Sequence, residues 1–82
     1  MRLTLSPVEP GSRRIMAGRL HVGSALTEWD DRDKWNGAWR ARLWGTPFEY
    51  DSQVAVTGKF LRLRDLRADL ERRLAEDGPW WK

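Results

Sequence analysis

The chain has 82 residues, no cysteine and a formal net charge of +3 at pH 7. That length suits a single domain over residues 1–82, and the missing cysteine excludes disulfides and thiolate metal sites. With 40% hydrophobic and 33% charged residues the composition is that of a folded chain. Each of its six tryptophans can bury a large apolar surface.

The first predicted elements are two short strands. Arg2–Leu5 is predicted to be a strand that ends in SPVEPGS, a stretch whose two prolines and glycine indicate a loop. IMAGRLHV, from Ile15 to Val22, is predicted to be a second strand, and Gly18 within it indicates a bulge or a close backbone approach.

The tryptophan-rich stretch WDDRDKWNGAWRARLW predicts a hairpin that turns at Asn36-Gly37, because Asn-Gly suits the positive φ angles of a type I′ turn. With a two-residue loop, two opposite-charge pairs and one aromatic pair would stand directly across the two strands. These pairs are Asp33 with Arg40, Asp31 with Arg42, and Trp29 with Trp44. In this register Trp39 points into the core, whereas Trp29 and Trp44 lie on the surface. Trp35 stays unassigned.

A helix from Ser24 to Lys34 is the alternative for the first half of this stretch. Its interior would contain the cluster DDRD, and aspartate is a poor helix former beyond the first turn. The hairpin is therefore preferred.

The run FEYDSQVAVTGKF, residues 48–60, alternates between apolar even positions and polar odd positions, as a half-buried strand does. Two interpretations remain open. The run is either one long bent strand, or it turns back at Asp51-Ser52 and pairs with itself.

The last predicted element is a helix in LRDLRADLERRLAEDGP, where leucines at positions 63, 66, 70 and 74 form a stripe with helical spacing. Asp69 and Arg73 form an i, i+4 pair, and Gly78 followed by Pro79 is a helix stop. The tail Trp80-Trp81 either folds back onto the core or is exposed. Together these elements predict an α+β fold, an antiparallel sheet of four to five strands with one C-terminal helix packed on a face.

No catalytic, cofactor or metal motif is present, so we expect a protein that is not an enzyme and has no cofactor. The acids of WDDRDKWNG do not match a calcium loop, since Trp35 and Asn36 occupy the fifth and sixth positions counted from Asp31. His21, the one histidine, has no companion ligands nearby and is expected to be a strand residue that points to solvent.

The expected function is therefore binding. Interfaces between proteins are enriched in tryptophan and arginine, so a protein partner is the first expectation. An aromatic and basic sheet face that binds nucleic acid is the alternative, although Asp31 and Asp33 would repel phosphate there. The candidate partner-binding residues are Trp29, Asp31, Asp33, Arg40, Arg42 and Trp44 on the hairpin face, with Trp80 and Trp81 as a second patch.

No segment reaches the roughly 20 apolar residues of a membrane span, and MRLTLSPVEPGSRR has no apolar run typical of a signal peptide. We therefore expect no membrane partner and a cytoplasmic location. The chain is expected to be a monomer or a homodimer, because exposed tail indoles would suit self-association as well as a foreign partner.

In its general build the chain resembles small phage-encoded inhibitors of the anti-CRISPR type. The resemblance is carried by the WDDRDKWNGAWRARLW hairpin, the FEYDSQVAV run and the LRDLRADLERRLAEDG helix, which cover most of the sequence. It implies a protein that binds a larger host complex and blocks it sterically. The mildly basic charge departs from the acidic, DNA-mimicking members of that group. No motif matches residue by residue, so no functional residue is carried over.

Overall fold

The computed structural model describes residues 2–28, 37–45 and 52–82. Its elements form an open five-stranded antiparallel sheet, in the order β1-β2-β3-β4-β5, with one C-terminal helix. The elements are β1 (Leu3–Glu9), β2 (Ser12–Ala17), β3 (Leu20–Glu28), β4 (Ala38–Trp44), β5 (Gln53–Val56) and α1 (Leu63–Asp77). The predicted α+β architecture is confirmed.

The N-terminal third forms three strands instead of the two that were predicted. β1 continues through Pro7, and the second predicted strand is divided by a turn at Gly18-Arg19 that joins β2 to β3. Gly18 has a φ of 63°, so it belongs to a turn and not to a bulge within one strand. The bulge lies instead in β3 at Val22, between the pairs Ile15↔Gly23 and Met16↔His21.

β3 and β4 are paired, but in a different register from the predicted hairpin. Arg40 lies opposite Leu26, and Arg42 lies opposite Ser24. The predicted partners Asp31, Asp33 and Trp29 fall in 29–36, outside the described residues, as does Asn36 of the predicted turn. The alternative helix is wrong over residues 24–28, which belong to β3.

β5 is much shorter than the alternating run predicted, and its faces are reversed. Ala55 pairs with Leu43 and packs against the core, whereas Val54 and Val56 are exposed. Phe48, Tyr50 and Asp51, on which the predicted turn at Asp51-Ser52 depends, lie outside the described residues.

Beyond β5 the chain stays beside β4 without remaining a regular strand. The Thr57 N–H donates to the Ala41 carbonyl at 2.9 Å, and Phe60 exchanges two backbone hydrogen bonds with Trp39. Gly58 and Lys59 lie between these contacts and are exposed. A single long strand through residue 60 is therefore not formed.

The helix confirms the leucine stripe. Leu66 and Leu70 are fully buried, and Leu63 and Leu74 are half-buried against the sheet. Gly78, with a φ of 77°, donates its N–H to the Leu74 carbonyl and closes the helix.

The predicted ion pair on α1 is also present. Arg73 binds Asp69 at 3.1 Å, and Arg72 binds it at 2.6 Å. Although partial burial acts to raise the pKa of Asp69, the hydrogen bonds from Arg72 and Arg73 hold it below its usual value.

The tail folds back onto the core, so its tryptophans are part of the packed interior. Trp81 is buried and Trp80 is half-buried against the same cluster. The two indoles meet edge to face with ring centroids 5.0 Å apart. The buried cluster that they join lies on the helix-covered face of the sheet, with contributions from Leu3, Ile15, Val22, Ala25, Ala41 and Leu43.

Candidate binding face

The sheet has two faces of different character. The α1 leucines cover one face, on which the alternate residues Ala41 and Leu43 of β4 are fully buried. The intervening residues Arg40 and Arg42 point to the opposite face, because successive side chains alternate across a strand. No described helix packs against that side, which we call the helix-free face.

Register places two arginines in one line across the helix-free face. Arg14 of β2 pairs with Ser24 of β3, and Ser24 pairs with Arg42 of β4. We call Arg14, Ser24 and Arg42 the arginine row. Ser6 extends it at one end and Val56 at the other, so it spans all five strands without an acidic residue.

The geometry of the arginine row suits an anionic surface. Arg14 and Arg42 are exposed, whereas Ser24 between them is half-buried. Two strand spacings separate the arginine backbones by roughly 10 Å, about one Debye length at physiological ionic strength. Salt therefore reduces their mutual repulsion, and each guanidinium can form a bidentate pair with a carboxylate.

His21 and Trp44 lie at one end of the helix-free face. Their rings meet edge to face with centroids 4.4 Å apart, and both residues are buried. Burial lowers the pKa of His21 below its ordinary value of 6.5; a backbone hydrogen bond with Gly23 acts in the opposite direction, and the nearby charge of Arg14 lowers the pKa further. The expectation that His21 points to solvent is therefore wrong.

The predicted site residues are only partly brought together. Arg40, half-buried, and Arg42, exposed, lie on the helix-free face as expected. Trp44 is 3% exposed, so the prediction that it is a surface residue is wrong. It lies beside the β3 bulge, in edge-to-face contact with His21. Trp29, Asp31 and Asp33 lie outside the described residues.

Trp80 and Trp81 do not form the exposed second patch that was predicted, because Trp81 is buried in the core and Trp80 packs against it. Trp39 is on the helix-covered side, where it is half-buried beneath the Arg13 guanidinium, 5.9 Å from the ring centroid.

Sequence reasoning missed Arg14 and Ser24. Strand alternation within SRRIMA separates Arg14 from the buried Ile15 and could have placed it on an exposed face. Nothing in the sequence indicates that it shares a row with Arg42, 28 positions away, since that depends on two strand registers and a bulge.

Comparison with family models, curated proteins and solved structures finds no match. In the part of the chain that the structure describes, no three His, Cys, Asp or Glu residues are grouped so that they could hold a metal ion. Within the same residues, no helix has both the length and the apolar composition needed to span a bilayer.

Proposed function

We propose that this protein is a non-enzymatic binding module that attaches its helix-free face to an acidic surface of a larger protein. The observation that carries the proposal is the arginine row. Arg14 and Arg42 flank Ser24 on a face that no described helix covers. A sheet face with two outward guanidinium groups and no carboxylate in the same row favours a partner rich in Asp and Glu.

Steric inhibition of that partner is the role that we propose for the binding. A rigid sheet can cover a functional surface without performing chemistry of its own. This is the activity that the resemblance to small phage-encoded inhibitors implies.

Nucleic acid is the competing ligand, since guanidinium groups bind phosphate as well as carboxylate. Proteins that bind single strands also need aromatic rings on which bases can stack. Trp44, the tryptophan of the described β-strands on this side of the sheet, is buried against His21. The described helix-free face therefore provides charge but no stacking platform, and an acidic protein surface fits it better.

The test is a titration of the intact protein with two probes, poly-L-glutamate and single- or double-stranded DNA, at 50 and 200 mM salt. The test variant is Arg14→Glu/Arg42→Glu. The charge-matched control is Arg19→Glu/Arg62→Glu, which changes two exposed arginines at the β2–β3 turn and before α1.

We expect saturable binding of polyglutamate that weakens at least tenfold in the test variant and much less in the control. Equal weakening in both variants would show attraction to overall charge and would overturn the proposal. Tighter binding of DNA than of polyglutamate, with collapse at the higher salt, would establish nucleic acid as the ligand instead.

A further inference from the structure

An open groove of about 540 Å³ lies on the other side of the molecule, between the edge strand β1 and the first half of α1. Its seven lining residues come from these two elements and from Arg2, which precedes β1; they are Arg2, Leu3, Thr4, Leu5, Leu63, Arg64 and Arg67. None of them is a member of the arginine row or of the Ser6 and Val56 positions that extend it. The groove is therefore a second candidate site, independent of the arginine row.

On the β1 side of the groove, no other described strand pairs with the outer edge of β1. β1 is terminal in the sheet, and its Leu3 N–H turns away from β2 to donate to the Glu71 carboxylate at 3.2 Å. In an antiparallel ladder the outward and inward backbone groups alternate, so the N–H and C=O of Leu5 also face outward. Pro7 occupies the next outward-facing position of β1, where its lack of an N–H removes no hydrogen bond to β2.

The α1 side of the groove is cationic. Arg64 and Arg67 project from the first turns of α1, and Arg2 precedes β1 at the same end. None of the lining residues is acidic. Arg64 has Asp65 at 4.0 Å, but both side chains are largely exposed, and such a pair contributes little. Leu3, Leu5 and Leu63 are the apolar residues of the lining.

We propose that this groove binds an extended acidic segment of a partner protein, which adds to β1 as a further strand. The Leu5 N–H and C=O pair with the backbone of the segment, as in other strand-addition complexes. Alternate side chains of the segment then face α1, where carboxylates meet Arg64 and Arg67. A second copy of β1 fits poorly, because it would bring another Arg2 into a groove that is already positive.

The experiment uses the intact protein and a capped eight-residue peptide of alternating Glu and Val. In a second peptide every Glu amide is N-methylated, and in a third peptide every Val amide is N-methylated. Because alternate amides of a strand face opposite sides, only one methylated set removes the bonds to β1. Binding is measured by calorimetry, and hydrogen exchange at the Leu5 amide is followed by NMR with the Thr4 amide as the internal control.

We expect one methylated peptide to bind at least tenfold more weakly and the other to bind like the parent peptide. We also expect slower exchange at Leu5 and at least tenfold weaker binding to Arg64→Glu/Arg67→Glu. The Arg14→Glu/Arg42→Glu variant should bind the peptide within about threefold of the wild type, so the two proposals succeed or fail separately.

Three results would overturn the groove proposal. The first is no binding of the parent peptide at millimolar concentration. The second is equal behaviour of the two methylated peptides, which indicates attraction to charge without strand pairing. The third is unchanged affinity in Arg64→Glu/Arg67→Glu.

Discussion

The indole Nε1 of Trp80 donates a hydrogen bond of 2.8 Å to the carbonyl oxygen of Val22, 58 residues earlier in the chain. Val22 is the extra residue of the β3 bulge, and its side chain is fully buried. The bulge turns a backbone acceptor out of the regular ladder, and the tail supplies its donor. This contact connects the C-terminus to the middle of the sheet.

Removing tail contacts should therefore destabilise the whole domain. We expect Trp80→Phe, which keeps a six-membered aromatic ring but loses the pyrrole ring with its Nε1 donor, to lower the free energy of unfolding by about 1–2 kcal/mol. Trp81→Ala should cost about 3–5 kcal/mol, because it removes a buried indole and leaves a cavity. Urea denaturation measures both. Leu61→Ala is the control, since Leu61 is 62% exposed and should change stability by less than about 0.5 kcal/mol. A Trp81→Ala effect as small as that of the control would contradict the core position of the tail.

Protonation of His21 should weaken the fold. The pKa of folded His21 lies below 6.5, chiefly because of burial, so the unfolded chain takes up a proton first as the pH falls. The free energy of unfolding should accordingly decline below about pH 7, by at most about 1.4 kcal/mol per pH unit, until folded His21 also titrates. Urea titrations at several pH values between about 7.5 and 5 measure this slope. In His21→Phe the slope should flatten over the same window; an unchanged slope would assign the effect to other groups.

The Thr57 hydroxyl replaces a missing ladder partner. Its Oγ1 accepts from the Ala41 N–H at 2.9 Å and donates to the Gly58 carbonyl at 2.9 Å, and Thr57 is 3% exposed. We expect Thr57→Val to cost about 1–3 kcal/mol, because the Ala41 N–H would be left buried without an acceptor. Thr57→Ser keeps the hydroxyl and should cost at most about 1 kcal/mol. Thermal unfolding of the two variants measures the loss of stability in each. Equal losses would argue against a contribution from the Thr57 hydrogen bonds.

Gly23 allows β3 and β4 to approach closely. A Cβ at this position would lie 2.6 Å from the Arg42 carbonyl oxygen and 3.1 Å from Ile15 Cδ1. Gly23→Ala should therefore destabilise the sheet by about 1–3 kcal/mol. Gly58→Ala is the matched control, since nothing lies within 4 Å of its Cβ and its backbone is outside the left-handed region. The control should be neutral or more stable by about 0.4–1 kcal/mol, because alanine restricts the unfolded chain. Calorimetry measures the melting temperatures of both variants. Equal shifts for Gly23→Ala and Gly58→Ala would contradict the close approach of the strands at Gly23.

Local patterns account for the parts of the fold that were predicted correctly. The leucine stripe and the Gly78-Pro79 stop define α1 through interactions within about four residues, so their outcome depends little on the rest of the chain. Strand alternation also separates Arg42 from the buried Ala41 and Leu43, which is why Arg40 and Arg42 were placed on the correct face.

The candidate site was predicted less completely, because it depends on contacts between distant segments. The wrong hairpin register rested on the assumption of a two-residue loop, and a change of register alters every cross-strand neighbour. The positions of His21 and Trp44 depend on the bulge at Val22, which the sequence does not mark. Arg14 and Arg42 lie in one row because Ser24 of β3 pairs with both of them, on opposite sides.

Composition and short-range periodicity by themselves determined that this chain forms an α+β domain with a C-terminal leucine-faced helix, since both follow from local backbone preferences and the burial of one apolar stripe. The tertiary structure alone decided which side chains share a surface. Strand register, the β3 bulge and the return of the Trp80-Trp81 tail decide which side chains lie close together, because each depends on packing between segments far apart in the chain.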